Sequence, residues 1–192
     1  MMKKIIPTLF LPVFLVCAAA VSGQQNESKE TAALATVTSV DLKRYSGKWF
    51  EIARYENKFQ KQCVGNTTAT YTIKANGKIE VINECLKKNG ELERAKGEAR
   101  IVDKNTNAKL EVRFAPPALS FIPAVWGDYW ILELDDNYQY TVVSDPKRKY
   151  FWILSRTPEI SDATYQNILR RAEKLGFDPA KVIKTPQKVE AV

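Results

Sequence analysis

From residue 49 onward the chain alternates apolar and polar positions in short runs broken by turn-forming residues. Eight such runs can be read, at residues 49–55, 67–73, 78–84, 94–102, 108–114, 129–134, 138–144 and 150–156. A period of two puts successive side chains on opposite faces of a strand, so each run predicts a strand with one wet and one apolar face. The connections at 75–77, 103–107 and 136–137 are short and rich in Asn, Asp and Gly, as tight hairpins require. The intervening connections, 56–66, 86–93, 115–128 and 145–149, are mostly longer. In an up-and-down arrangement alternate connections lie at the same end. The pattern therefore predicts an all-β, eight-stranded antiparallel up-and-down barrel, closed by tight turns at one end and ringed by loops at the other: a cup.

Alternation also assigns an interior. In the fourth run Ala95, Gly97, Ala99 and Ile101 alternate with Lys96, Glu98 and Arg100, and in the fifth Leu110, Val112 and Phe114 alternate with Lys109, Glu111 and Arg113. Extending the phase around the barrel predicts a lining of Val81, Leu110, Val112, Phe114, Trp130, Leu132, Trp152 and Leu154. Tyr71, Asn83 and Tyr140 would add a few polar contacts. Ala53, Ala95, Gly97 and Ala99 are expected on the same side, leaving room for an apolar ligand where a solid core would need bulk. In the eighth run Phe151 and Ile153 are as apolar as Tyr150, Trp152 and Leu154, so its outer face needs a cover. The segment after Pro158 supplies a C-terminal α-helix packed on the outside, capped by Ser161 and stopped by Gly176, with a stripe of Tyr165, Ile168, Leu169, Ala172 and Leu175. Val182 and Ile183 would form a final edge strand.

The beginning of the chain is different. Lys3 and Lys4 precede an apolar run interrupted by Pro7 and Pro12, followed by small residues up to Gly23, which is the order of an export signal and too short for a membrane span. Residues 1–23 are read as that signal, 24–39 as a polar leader or tether, 40–185 as the barrel with its helix, and 186–192 as a tail. Cys17 leaves a lipidated N-terminus open as an alternative to its removal with the signal. Export implies an oxidising compartment: periplasm or outer membrane in a bacterium, or secretion. The 75–77 turn folds the second strand onto the third and brings Cys63 towards Cys85, and a disulfide between them is expected, with a bulge needed to bring them into register.

Lys and Arg outnumber Asp and Glu by 29 to 22. These basic residues are scattered, without the stripe of a nucleic-acid binder; an anionic membrane surface is the partner they better suit. The chain has no His, which removes the commonest general base and metal ligand, so no catalytic residue, metal or cofactor is expected. The connection 116–126 carries Leu119, Phe121, Ile122, Val125 and Trp126 where exposure is expected. It should fold over the mouth of the cup or, failing that, touch a membrane or partner.

Three local motifs then fall at the closed end. Gly47-Lys48-Trp49 opens the first strand; Asp135-Asp136-Asn137-Tyr138 turns between the sixth and seventh; Leu154-Ser155-Arg156-Thr157-Pro158 ends the eighth. Together they resemble the lipocalin family, over about residues 40–184, and within it the bacterial outer-membrane and apolipoprotein D branches. One departure is Leu134, where the family usually has Thr. Gly47, Trp49, Asp135, Tyr138 and Arg156 are read as structural, with Trp49 and Arg156 stacked. The resemblance implies a carrier or store of a fatty acid, lysophospholipid or similar lipid, serving envelope lipid transport and membrane maintenance under stress. Two alternatives stay open: a thiol-dependent isomerase of the lipocalin type, which requires Cys63 or Cys85 free, and a surface interaction scaffold.

Overall fold

A computed structural model describes residues 33–188. The expected export signal, Cys17, the first part of the leader and the last four residues lie outside them. Nine strands and two α-helices follow in order: α1 (Leu42–Tyr45), β1 (Gly47–Tyr55), β2 (Cys63–Ile73), β3 (Ile79–Lys87), β4 (Leu92–Ile101), β5 (Lys109–Arg113), β6 (Gly127–Leu134), β7 (Tyr140–Ser144), β8 (Phe151–Ser155), α2 (Asp162–Lys174) and β9 (Val182–Lys184). Every strand from β1 to β8 pairs antiparallel with its sequence neighbour. β8 returns to β1, so the sheet closes into the expected eight-stranded barrel.

Closure at the seam between β1 and β2 is incomplete. The two strands pair only from Gly47 opposite Tyr71 to Phe50 opposite Thr68. Beyond that point β9 takes over the edge of β1, with Ala53, Arg54 and Tyr55 opposite Lys184, Ile183 and Val182. The chain after β9 fills the remaining gap: the Thr185 amide donates to the Ile52 carbonyl, and the Gln187 side-chain amide donates to the carbonyls of Glu51 and Thr67. Residues 182–183 thus complete the wall.

Two apolar clusters follow from the two faces of the sheet. The inner one gathers Trp49, Tyr71, Val81, Ala99, Leu110, Ile131, Val143 and Leu154 with Tyr45 from α1. The outer one lies under α2, where Tyr165, Ile168 and Ala172 meet Phe151, Ile153, Val142 and Leu132. Ser161 caps α2 by accepting from the Thr164 amide at 3.1 Å, and Gly176 ends it at φ +85°, a backbone angle that costs glycine little. The void between Ile168, Ala172 and the sheet residues Leu132, Val142 and Phe151 holds about 10 Å³.

The segment before α1 is not a free leader where it is described. Leu34 is buried in the outer cluster, the Val37 amide donates to the Ile131 carbonyl, and the Val40 amide donates to the Thr106 carbonyl. It crosses the closed end and supports the floor.

Candidate functional site

The floor of the cup is built around Trp49. Its indole N–H donates to the Tyr45 carbonyl at 2.8 Å, and the Arg156 guanidinium lies 3.8 Å from its ring centre. Arg156 also donates to the carbonyls of Lys48, Arg44, Tyr45 and Tyr138. Gly47 has φ +96°, and a Cβ there would come within 3.4 Å of that guanidinium. Asp135 accepts from the Asn137 and Gln139 amides to form the β6–β7 turn. Tyr138 accepts from the Asp41 amide and carries Arg44 4.0 Å above its ring. These five motif residues form one knot that ties α1, β1, β8 and the β6–β7 turn together, away from the mouth.

Above Trp49 sits a layer of tyrosines. The Tyr129 hydroxyl bonds those of Tyr45 and Tyr71 at 2.8 and 2.9 Å. Burial pushes the Tyr45 hydroxyl up to about 12 and raises the other two further. Neutral, mutually bonded phenols form a sealed base. Toward the open end the inner wall becomes wetter: Ala99 is buried, Gly97 and Asn83 are half-buried, and Ala95 and Phe114 are exposed. The Asn83 side-chain carbonyl is itself buried and has no hydrogen-bond partner in the protein. A buried polar atom left unpaired costs about 1–3 kcal/mol, which marks a position where a ligand donor would be welcome.

Of the ten residues expected to line the cup, Tyr71, Val81, Asn83, Leu110, Val112, Phe114 and Trp152 are on the inner wall or its rim. Trp130, Leu132 and Tyr140 are not. All three pack against the cluster under α2, and Trp130 carries the Lys109 ammonium on its outer side. The inner residues of that strand are Tyr129, Ile131 and Leu134. A bulge between Ile131 and Glu133 turns both Leu132 and Glu133 outward, where Glu133 pairs with Arg171 of α2. A bulge breaks the period of two, so alternation read across it puts Trp130 and Leu132 on the wrong face.

Ala53 is misplaced for the same reason. A bulge between Glu51 and Ala53 sends Ile52 and Ala53 together to the outer cluster. Gly97 does face inward but leaves no room, since its would-be Cβ lies 2.6 Å from the Arg113 carbonyl and 2.8 Å from the Phe114 ring. The Phe114 ring occupies the space that glycine vacates. The open part of the wall is at Ala95.

A polar cluster that the alternation gave no sign of hangs on the inner face of β1. Glu51, only 3% exposed, accepts from Thr185 at 2.5 Å and Gln60 at 2.6 Å, and its carboxylate lies 3.1 Å from Arg54 Nε. Burial raises its pKa, while Thr185, Gln60 and Arg54 pull it back. Gln60 Oε1 accepts from Asn57 and from the Trp152 indole. Arg54 stands opposite Trp152, which packs on the inner cluster and stacks on Tyr150 at 5.6 Å. The one readable signal was a Glu and an Arg three apart within the otherwise apolar stretch from Trp49 to Tyr55.

Cys63 and Cys85 form a disulfide with their Cα atoms 5.6 Å apart, just below the mouth. The anticipated bulge is present, as two register shifts between Cys63 and Thr68. These shifts also explain why β2 starts four residues earlier than its alternation suggests. The connection between β5 and β6 does not lay its indole over the mouth. Trp126 rests on the outer wall, 4.1 Å from Arg100 and 5.1 Å from Arg113, and its indole donates to the Ser120 carbonyl. Two 3-10 turns at Pro117–Leu119 and Pro123–Val125 leave Phe121 79% exposed. Phe59, Leu92, Phe114 and Leu119 are exposed around the same rim.

The barrel has a floor tied by three motifs at its closed end and an inner wall that grows more exposed toward the open end, and comparison with known proteins identifies this architecture. A family model described as a lipocalin-like domain matches residues 40–187. This chain belongs to the lipocalin family. Lipocalins are eight-stranded barrels that bind small hydrophobic ligands. The chain is 41% identical over 163 residues to temperature-induced lipocalin-1 of Arabidopsis thaliana, covering 84% of this lipocalin and 85% of that one. It is 38% identical to the outer membrane lipoprotein Blc of Escherichia coli K12, covering 77% and 79%, and 31% identical to apolipoprotein D of Macaca fascicularis, covering 77% of each. Among solved structures, insecticyanin from the tobacco hornworm Manduca sexta shares the fold with a TM-score of 0.65 at 24% identity, over 82% of this chain and 86% of that one. None of these names denotes an enzyme.

Proposed function

We propose that this lipocalin carries or stores one long-chain lipid, a fatty acid or lysophospholipid, with the acyl chain on the apolar inner wall and the polar end toward the mouth. The observation that carries this reading is the gradient of the inner face, from phenols sealed at the base to the solvent-reached Ala95 and the unpaired Asn83 carbonyl near the top. Burying a sixteen-carbon chain yields about 0.8 kcal/mol per methylene. After the cost of association and ordering, a dissociation constant near micromolar follows. That strength suits reversible carriage.

The disulfide and the export signal read from residues 1–23 support a setting in the periplasm, at the outer membrane or outside the cell. There the protein would move or hold lipids for envelope maintenance. The name of the Blc relatives, outer membrane lipoproteins, fits the same setting. The exposed rim of Phe59, Leu92, Phe114, Leu119 and Phe121 lies beside Lys58, Lys61, Lys88 and Lys149 of the open-end loops, a composition suited to loading from an anionic lipid surface. We read the protein as a binding protein and not an enzyme. The isomerase alternative needs a thiolate at Cys63 or Cys85, and both sulfurs are bonded to each other.

The test is native mass spectrometry of delipidated protein offered oleate, 1-oleoyl-lysophospholipids and monooleoylglycerol. The expected result is one lipid per chain. Failure to retain any lipid class would overturn the carrier reading.

A further inference from the structure

We propose that Arg54 is the head-group anchor of the cup, taking the carboxylate or phosphate of an anionic lipid, with Glu51 as the residue that positions it. The inference rests on the carrier reading above and deepens it by naming the head-group chemistry.

Arg54 is set apart from its neighbours by the donors it keeps. Glu51 has both oxygens engaged, by Thr185, Gln60 and Arg54. Gln60 is engaged at both ends: its oxygen accepts twice, from Asn57 and Trp152, and its nitrogen donates to Glu51. The Trp152 indole has a single N–H, which that bond consumes. Arg54 is the exception. A guanidinium carries five N–H donors, and the contacts made by this one are the 3.1 Å approach of Nε to Glu51 and a 3.4 Å bond from Nη1 to the Tyr55 carbonyl. Its Nε is buried without a well-aligned acceptor. Within the cluster, then, both Glu51 oxygens and the Gln60 oxygen already have donors, while most of the guanidinium's N–H groups are left without a protein acceptor among the described residues. Spare donors carried on a cation favour an anionic acceptor.

Position agrees with chemistry. β1 runs from the floor at Gly47 to the mouth at Tyr55, so Arg54 lies near the top of the inner wall, across from Trp152. The Arg54 side chain is 11% exposed. A lipid whose head meets Arg54 would extend its chain down the apolar wall toward Tyr71, Tyr129 and Trp49. Arginine's planar fork matches both carboxylate and phosphate oxygens, and the surrounding barrier to water makes such a bond count for more than at the surface. Glu51, nearly sealed from solvent, is placed to hold the guanidinium in orientation and not to meet the lipid.

The experiment uses native mass spectrometry of the delipidated protein with equimolar pairs that share an oleyl or oleoyl chain and differ in an anionic against a neutral head: oleate against oleyl alcohol, and 1-oleoyl-lysophosphatidate against monooleoylglycerol. Wild type is expected to prefer the anion by about tenfold in the pair whose head group it serves, the equivalent of one additional charge-assisted hydrogen bond. The two pairs distinguish carboxylate from phosphate. In Glu51→Gln the preference should rise, because the guanidinium is released from its counter-ion; a purely structural Glu51 would leave the ratio where it was. In Arg54→Lys the preference should fall severalfold. In Glu51→Gln/Arg54→Met, which avoids stranding a buried carboxylate, it should approach one. Equal binding of anion and neutral partner by wild type in both pairs, or a tenfold preference surviving in the double variant, overturns the assignment while leaving the carrier reading intact. Binding of neither member of either pair overturns both.

Discussion

Arg156 illustrates how one side chain can hold several elements. Its guanidinium covers the Trp49 ring at 3.8 Å and donates to carbonyls from α1, from β1 and from the β6–β7 turn, so one cation ties three elements at the barrel floor. The stacking contributes about 0.5–2 kcal/mol, and each charge-assisted bond adds to it. Arg156→Ala is therefore expected to cost about 3 kcal/mol, near 10 °C in Tm for a domain of this size. Arg156→Lys should recover little, since one ammonium cannot serve several divergent carbonyls and stack as well. Thermal unfolding of the lipid-free variants checks this, and a wild-type Tm for Arg156→Ala would show that the floor is held by other contacts. At this scale the sequence was legible where a residue's role is local and repeated in a motif. It was opaque at Trp130 and Leu132 on β6 and at Tyr140 on β7, because neither strand has one clearly polar face.

The same bulges decide matters at the scale of elements. All eight strands of the barrel could be read from alternation because most positions do follow a period of two. β1 and β6 each insert one extra residue; the first bulge moves Ile52 and Ala53 to the outer cluster, and the second turns Leu132 and Glu133 toward α2. No residue type announces a bulge, so its place was invisible until the register was known. The seam is a second case. A short apolar pair at 182–183 reads as an edge strand, yet β9 and the residues after it replace β2 as the partner of upper β1 and cap the buried Glu51 through Thr185. Ending the chain at Lys181 should therefore expose that edge and leave Glu51 short of a bond. The expected loss is roughly 2–3 kcal/mol, a few net hydrogen bonds. Hydrogen exchange should accelerate at the amides of residues 52–55, with Gly47 to Phe50 still paired to β2 and protected. Uniform loss of protection along β1 would mean the seam is not a separate unit, and unchanged protection would mean that β9 seals nothing.

For the molecule as a whole, the decisive relation is between the inside of the barrel and its two coverings, α2 on one side and the 115–126 connection on another. The four tryptophans sample all of these environments. Trp49 is in the floor, Trp126 on the outer wall over Arg100 and Arg113, Trp130 on the outer face bordering the α2 cluster, and Trp152 on the inner wall beside Gln60 and Tyr150. A lipid entering the cup should perturb Trp152 above all, by displacing water from its exposed side. Saturating oleate is thus expected to shift and change the intensity of intrinsic fluorescence with a midpoint near micromolar. Trp152→Phe should abolish most of that response while native mass spectrometry still detects bound lipid. Trp130→Phe and Trp126→Phe should keep the response, because their indoles lie outside the wall. If the signal instead vanished with Trp130 and persisted without Trp152, the lipid would occupy the outer face under α2. The inner wall would then be no binding site, however open it is at Ala95.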